Sequence, residues 1–192
     1  MINKYSYINI YDYKKKNSKL SSQILYGEKF IILKEYKNWY KIKTSYDKYV
    51  GFIKKKKFEK FTSKPTHKVS SLKANIFYKP IKNSRIKMRL SFASLLQVKS
   101  SNKGFLKFDN YWIQKSDVLP LNYKEKIFKR ISIFKNVKYK WGGKKFDGVD
   151  CSGLVQLFYK FNNLYCPRDT GPQFRYFKKS KPIKKDAIIF WK

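Results

Sequence analysis

The sequence predicts a mixed fold: two small all-β barrels followed by an α+β unit. Three observations carry this. Short apolar or alternating runs, separated by tight turns, fill the first sixty or so residues. The same pattern returns at an offset of 66. Beyond Asn122 the apolar period changes from that of strands to that of helices.

In the first unit, Tyr26-Gly27-Glu28 reads as a turn and Lys29 to Lys34 (KFIILK) as a buried strand. Trp39 to Lys43 alternates with period two, Tyr46-Asp47-Lys48 is a hairpin tip, and Tyr49 to Ile53 is a further strand. Closely spaced strands with tight turns predict a small barrel. Lys54 to Lys57 is a solvated run of like charge at its edge. Thr62 to Ser71, polar and with one proline, reads as a linker.

The second unit repeats the first. Asn9-Ile10-Tyr11 matches Asn75-Ile76-Phe77, and Lys16-Asn17-Ser18-Lys19-Leu20 matches Lys82-Asn83-Ser84-Arg85-Ile86. Ile24 pairs with Leu90, Tyr26 with Phe92, Phe30 with Leu96, Ile32 with Val98 and Trp39 with Phe105. After a hairpin shorter by six residues, Gly51-Phe52-Ile53 meets Tyr111-Trp112-Ile113. Apolar positions in register through both copies predict one core built twice. The expected division is 1–61, a linker 62–71, 72–121, and a third unit 122–192.

In the third unit, Tyr123, Ile127, Ile131 and Phe134 recur at helical spacing and predict a helix from about Tyr123 to Lys135. Tyr139 to Gly143 (YKWGG) is a turn-rich loop. From Cys151, residues Leu154, Val155 and Phe158 share a helical face, with Asp150 as N-cap. The prolines make Cys166 to Pro172 non-helical. Gln173 to Phe177 starts a short helix, and Ala187 to Trp191 is a buried strand.

The chain has 192 residues, 42% of them hydrophobic and 19% aromatic, which excludes wholesale disorder. Lys and Arg number 46 against 12 Asp and Glu, a net charge of +34. The cations are nearly all lysine and are spread along the chain. Alanine is scarce while Ile, Asn, Tyr and Phe abound. That pattern reads as compositional drift of an AT-rich genome, with selected binding to nucleic acid or to an anionic surface as the alternatives. The N-terminus has no apolar signal core, and no run is long enough to span a bilayer. A cytoplasmic monomer is expected, with the cell envelope as the alternative location. Two cysteines and one histidine support neither a disulfide framework nor a metal site, and no cofactor is expected.

Cys151 is the candidate nucleophile. At the first turn of a helix it meets free N–H groups and a partial positive charge, which favour thiolate and can hold an oxyanion. Gly153 leaves room for a neighbouring backbone. From the residues alone, a buried core cysteine or a disulfide to Cys166 stay open.

YKWGG, then GVDCSGLVQ, then PRDTGPQ, spanning residues 139–173, closely resembles the NlpC family of cell-wall cysteine peptidases. The two preceding copies resemble bacterial SH3-like domains. The resemblance implies a papain-like α+β domain and hydrolysis of the amide between γ-D-glutamate and a diamino acid in peptidoglycan stem peptides or muropeptides. It implies Cys151 as nucleophile and Tyr139 near the oxyanion. Asp150 and Ser152 would line the substrate pocket, the aspartate helping to hold a free terminal amine, and Arg168 and Asp169 would border it. The family's base is a histidine on the strand after a segment that Lys185 to Trp191 matches. His67 does not match that position. The resemblance therefore implies an incomplete peptidase domain, inactive as it stands, with the Ile188–Phe190 strand left as an unpaired edge. A non-catalytic module binding wall peptides and a polyanion binder are the alternatives. Nucleic acid is not the expected partner.

Overall fold

The computed structural model describes residues 1–60, 64–183 and 187–191. The first copy contributes β1 (Tyr7–Tyr11), β2 (Leu20–Leu25), β3 (Phe30–Glu35), β4 (Trp39–Thr44) and β5 (Val50–Lys54). They pair in the order β2-β1-β5-β4-β3. After β6 (His67–Val69), the second copy supplies β7 (Lys73–Phe77), β8 (Ile86–Ser91), β9 (Leu95–Leu96), β10 (Val98–Asn102), β11 (Phe105–Phe108) and β12 (Tyr111–Gln114). Its sheet runs β8-β7-β12-β11-β10, the same topology strand for strand. Even the register breaks coincide, at Ile10/Tyr11 in one hairpin and Ile76/Phe77 in the other. His67–Val69, inside the stretch read as a linker, is thus a strand. It pairs with β9 and with β13 (Val118–Pro120) and buries Val69 in the second core.

Matched positions are buried together: Ile10 with Ile76, Ile24 with Leu90, Phe30 with Leu96, Ile53 with Ile113. The residue after β2 and its counterpart after β8 do something else. Tyr26 leaves its own barrel and enters the second core, edge-on to Phe108. Phe92 enters a third core with Phe134, Phe158 and Phe161, stacked on Phe161 at 4.5 Å. Each copy therefore plugs the next unit with one aromatic ring, and the three units interlock.

The turn that aims Tyr26 depends on Gly27, at φ +79°; its counterpart Ala93 is also left-handed, at φ +64°. A Cβ on Gly27 would overlap the Leu95 carbonyl. Gly27→Ala is expected to cost more than about 2 kcal/mol, since strain and overlap add. Thermal unfolding of the variant checks this; an unchanged midpoint would contradict it.

The third unit comprises β14 (Lys144–Lys145), β15 (Gly148–Val149), α1 (Cys151–Phe161) and α2 (Thr170–Tyr176). Three expectations are corrected here. The stretch from Tyr123 to Lys135 forms turns and one 3-10 turn, Ile131–Phe134, rather than a helix. Ile131 is exposed, while Phe128 and Ile133 pack inward with Phe134. Its β-branched residues favour helix weakly, and tertiary bonds decide. Glu125 accepts from Arg130 at 2.7 Å, and its N–H donates to Asn162 Oδ1 at the end of α1. Second, Thr170, Gly171 and Pro172 form the first turn of α2, where proline loses no helical bond. Third, residues 187–191 carry no strand: Ile189 and Trp191 are exposed, and Phe190 leans on Phe174 and Phe177. Lys185 and Asp186 of the matched segment lie outside the described residues. Among the described residues, no helix is long and apolar enough to cross a membrane.

Candidate active site

The loop before α1 is shaped by three close backbone approaches. Gly142 sits at φ +71° against the Leu20 carbonyl. A Cβ on Gly143 would lie 2.5 Å from the Gly148 oxygen, and one on Gly153 would lie 2.7 Å from the Gly143 oxygen. The β14–β15 turn, the Trp141-Gly142-Gly143 loop and the first turn of α1 can therefore pack directly on one another, with Gly153 providing the room expected of it.

Asp150 caps α1 as the sequence indicates, its Oδ1 accepting from Gly153 N at 2.6 Å. Its carboxylate does more. Oδ2 accepts from Gly142 N at 2.8 Å, and Arg168 grips both oxygens, at 3.0 and 2.7 Å. Arg168 also donates to Ser152 Oγ and, through Nε, to Ser22 Oγ on β2 of the first barrel. The guanidinium is fully buried. It lies behind the pocket, tying the helix start to the barrel, and the Asp150 oxygens are filled by internal donors.

Gln173 of α2 locks the other side. Its side-chain NH₂ faces the carbonyls of Ser152 and Pro167, at 2.9 and 2.8 Å. The two cysteines are free thiols: Cys151 is exposed and Cys166 buried, so no disulfide joins them. Burial, with Asp47 nearby, pushes the Cys166 thiol up to about 12, which makes it inert.

Cys151 is the first residue of α1. As in any helix, the first N–H groups have no partner within it; that of Gly153 is taken by Asp150. Cys151 lines an open pocket of about 270 Å³ together with Tyr139, Trp141, Asp150, Ser152, Asp169, Thr170 and, from the first barrel, Asp12, Ser21 and Tyr49. The Sγ lies 3.8 Å from Thr170 Oγ1. Of the residues singled out from sequence, Cys151, Tyr139, Asp150, Ser152 and Asp169 meet at this pocket, while Arg168 supports it from behind. Burial, Cys151 and Asp150 push the Tyr139 hydroxyl up. Burial likewise raises the Asp169 carboxyl, against the pull of Arg168.

Trp141 and Thr170 lie within the recognised motifs but were not singled out. Asp12, Ser21 and Tyr49 had no sequence signal, because packing between units brings them here. His67 is on β6, its Nδ1 2.9 Å from Thr66 Oγ1, and does not line the pocket.

The barrel is held to the helix by buried charges. Lys160 of α1 donates to Glu28, and Lys144 Nζ lies 3.8 Å from the same oxygen. Lys144 also donates to Gln156, and Gln156 to Asp47 on the β4–β5 turn. Asp47 in turn accepts from the N–H of Tyr49, a pocket residue, at 3.3 Å.

Residues 136–192 match the NlpC/P60 family, and residues 10–58 match the bacterial dipeptidyl-peptidase SH3 domain. A gamma-D-glutamyl-L-lysine dipeptidyl-peptidase of Bacillus subtilis (strain 168) is 28% identical over 173 residues, covering 80% of this chain and 57% of the relative. A protein of the same name from Bacillus cereus is 24% identical over 185 residues, covering 82% and 55%. The chain thus spans a little over half the length of these relatives. The crystal structure of an NlpC/P60 family protein from Bacillus cereus superposes with a TM-score of 0.71 at 22% identity, covering 90% of this chain and 64% of that one. The fold is shared.

Proposed function

We propose that this chain, whose residues 136–192 match the NlpC/P60 family and residues 10–58 a bacterial SH3 domain, is a cysteine peptidase of peptidoglycan stem peptides that cleaves the amide between γ-D-glutamate and a diamino acid. The observation that carries this is the exposed Cys151 at the head of α1, in a pocket shared with the first barrel. The names of the two Bacillus relatives support the choice of bond.

In the proposed reaction the Cys151 sulfur attacks the γ-glutamyl carbonyl carbon after giving its proton to a base. The carbonyl oxygen becomes an oxyanion, held by the N–H groups at the start of α1 and by the Tyr139 hydroxyl. The C–N bond breaks and the leaving amine takes the proton. Water then hydrolyses the thioester, releasing the γ-glutamyl carboxylate and restoring the thiol. The Asp150 oxygens are filled, so we assign the hold on a free substrate amine to Asp12 and Asp169. Ser152, with its hydroxyl engaged by Arg168, and Trp141 shape the wall.

No imidazole lines the pocket among the described residues. A histidine carried by a longer form of the polypeptide would supply it. The 192 residues alone are then expected to turn over at least about a thousandfold more slowly, as when one member of a triad is removed. A second reading, a module that binds wall peptides without cutting them, draws on the pocket that the first barrel shares with α1.

The test incubates L-Ala-γ-D-Glu-L-Lys and its diaminopimelate analogue with the 192-residue protein and with a form extended by its downstream coding sequence. Mass spectrometry follows release of L-Ala-γ-D-Glu. Cleavage by the extended form that Cys151→Ala abolishes supports the peptidase. Binding without cleavage by either form selects the second reading, and cleavage that survives Cys151→Ala overturns the assignment of the nucleophile.

A further inference from the structure

The duplication places one hairpin twice on the molecule. In the first barrel, the β1–β2 hairpin hands Asp12 and Ser21 to the Cys151 pocket. At the offset of 66, the second barrel has Tyr78 in place of Asp12 and Lys87 in place of Ser21. The backbone is the same. Asp12 N donates to Lys19 O at 3.3 Å, and Tyr78 N to Arg85 O at 3.3 Å. Ser18 N donates to Lys15 O, and Ser84 N to Ile81 O, closing the same inner turn. Only the side chains differ. The acidic face that the first copy turns toward the nucleophile is a cationic, aromatic face on the second.

That second face is open. Tyr78, Lys79, Ser84 and Arg85 line a cleft of about 400 Å³, and Tyr78 is 40% exposed. Tyr111, which stands where the first copy has Gly51, sets its ring edge-on to Tyr78 at 5.7 Å. Lys87 Nζ lies 5.9 Å from the Tyr78 ring and 5.7 Å from the Tyr111 ring, and the Arg85 guanidinium lies 5.6 Å from Tyr78. Among the described residues, no carboxylate forms a salt bridge with Lys79, Arg85 or Lys87.

We propose that this cleft on the second barrel binds an organic anion attached to a ring, with the ring laid on Tyr78 and its carboxylate or phosphate held by Arg85 and Lys87. A guanidinium fork fits either anion with two parallel bonds. The edge-on tyrosine pair supplies a flat apolar face beside these cations. The exposed cations are screened, so binding is modest and salt-dependent, and the ring contact separates it from diffuse attraction to a chain of charge +34. This assignment does not rest on the peptidase reading.

The test titrates the full 192-residue chain at about 0.15 M salt, following the ring protons of Tyr78 and Tyr111 by NMR. N-acetylmuramic acid presents a carboxylate on a sugar and glucose 6-phosphate a phosphate on a sugar. N-acetylglucosamine is the neutral ring, and acetate the anion without a ring. Saturable shifts are expected with one or both sugar anions, at least about tenfold weaker with either control. Which of the two binds more tightly identifies the anion. Arg85→Ala and Tyr78→Ala, both at exposed positions, should each weaken binding by about fivefold or more. Absence of saturable shifts, equal binding of acetate or N-acetylglucosamine, or unchanged affinity in both variants overturns the proposal.

Discussion

Replacing Arg168 with methionine is expected to lower the unfolding free energy by about 3–5 kcal/mol, the usual cost of leaving one member of a buried ion pair without its partner. The guanidinium makes four bonds: two to Asp150, one to Ser152 and one to Ser22. Without it, the buried Asp150 keeps the N–H groups of Gly142 and Gly153 and loses its countercharge. The carboxylate must then take up a proton or draw in water. Either change loosens the cap of α1, and the residue carried by that cap is Cys151. Two readouts should therefore move together: the denaturation midpoint, and the rate at which iodoacetamide alkylates Cys151. Arg168→Lys keeps the charge but cannot fork onto both oxygens, so it should fall between wild type and methionine. A methionine variant as stable as wild type would show that Arg168 merely borders the site.

The repeat was legible because it is written in apolar register. Ile24 and Leu90, or Ile53 and Ile113, are buried in equivalent places whatever surrounds them. The start of α1 was legible for a similar local reason: an aspartate cap, a cysteine and a glycine carry their geometry in four consecutive residues. What could not be read depends on contacts distant in sequence. The apolar spacing of Tyr123 to Phe134 fits a helix, yet the bond from Glu125 N to Asn162 fixes that backbone otherwise. Asp12, Ser21 and Tyr49 reach the pocket because the first barrel docks against α1, and nothing in their own neighbourhoods foretells it. Arg168 was placed at the border of the site from its motif. Its partner on β2, Ser22, is 146 residues away, which is why its buried anchoring role was invisible.

That docking rests on Glu28, and Glu28→Gln should show how much. One carboxylate oxygen serves both Lys160 and Lys144, whose side chains are 6% and 4% exposed, while the other accepts from Leu25 N at 2.5 Å. The amide leaves two ammonium groups facing each other in the interior, so a loss of about 3–5 kcal/mol is expected. Removing one cation as well, in Glu28→Gln with Lys160→Met, should recover part of it, giving a coupling of about 1–3 kcal/mol in a double-mutant cycle. The pH dependence tests the same contact. Burial pushes the Glu28 carboxyl up, yet Lys144, Lys160 and the Leu25 N–H hold it below the ordinary glutamate value. Asp47 is likewise depressed, by Lys144 and its hydrogen bonds against burial. For both, the folded state binds its proton less readily than the unfolded chain. Their contribution is therefore complete above about pH 5 and is lost as pH falls through the folded values. The wild-type protein should lose stability steeply on acidification below about pH 5, and Glu28→Gln less steeply, because one of the two depressed carboxyls is gone. Parallel acid-unfolding curves for the two proteins would mean that Glu28 is not held ionised by these lysines, and that the first barrel does not grip α1 through this contact.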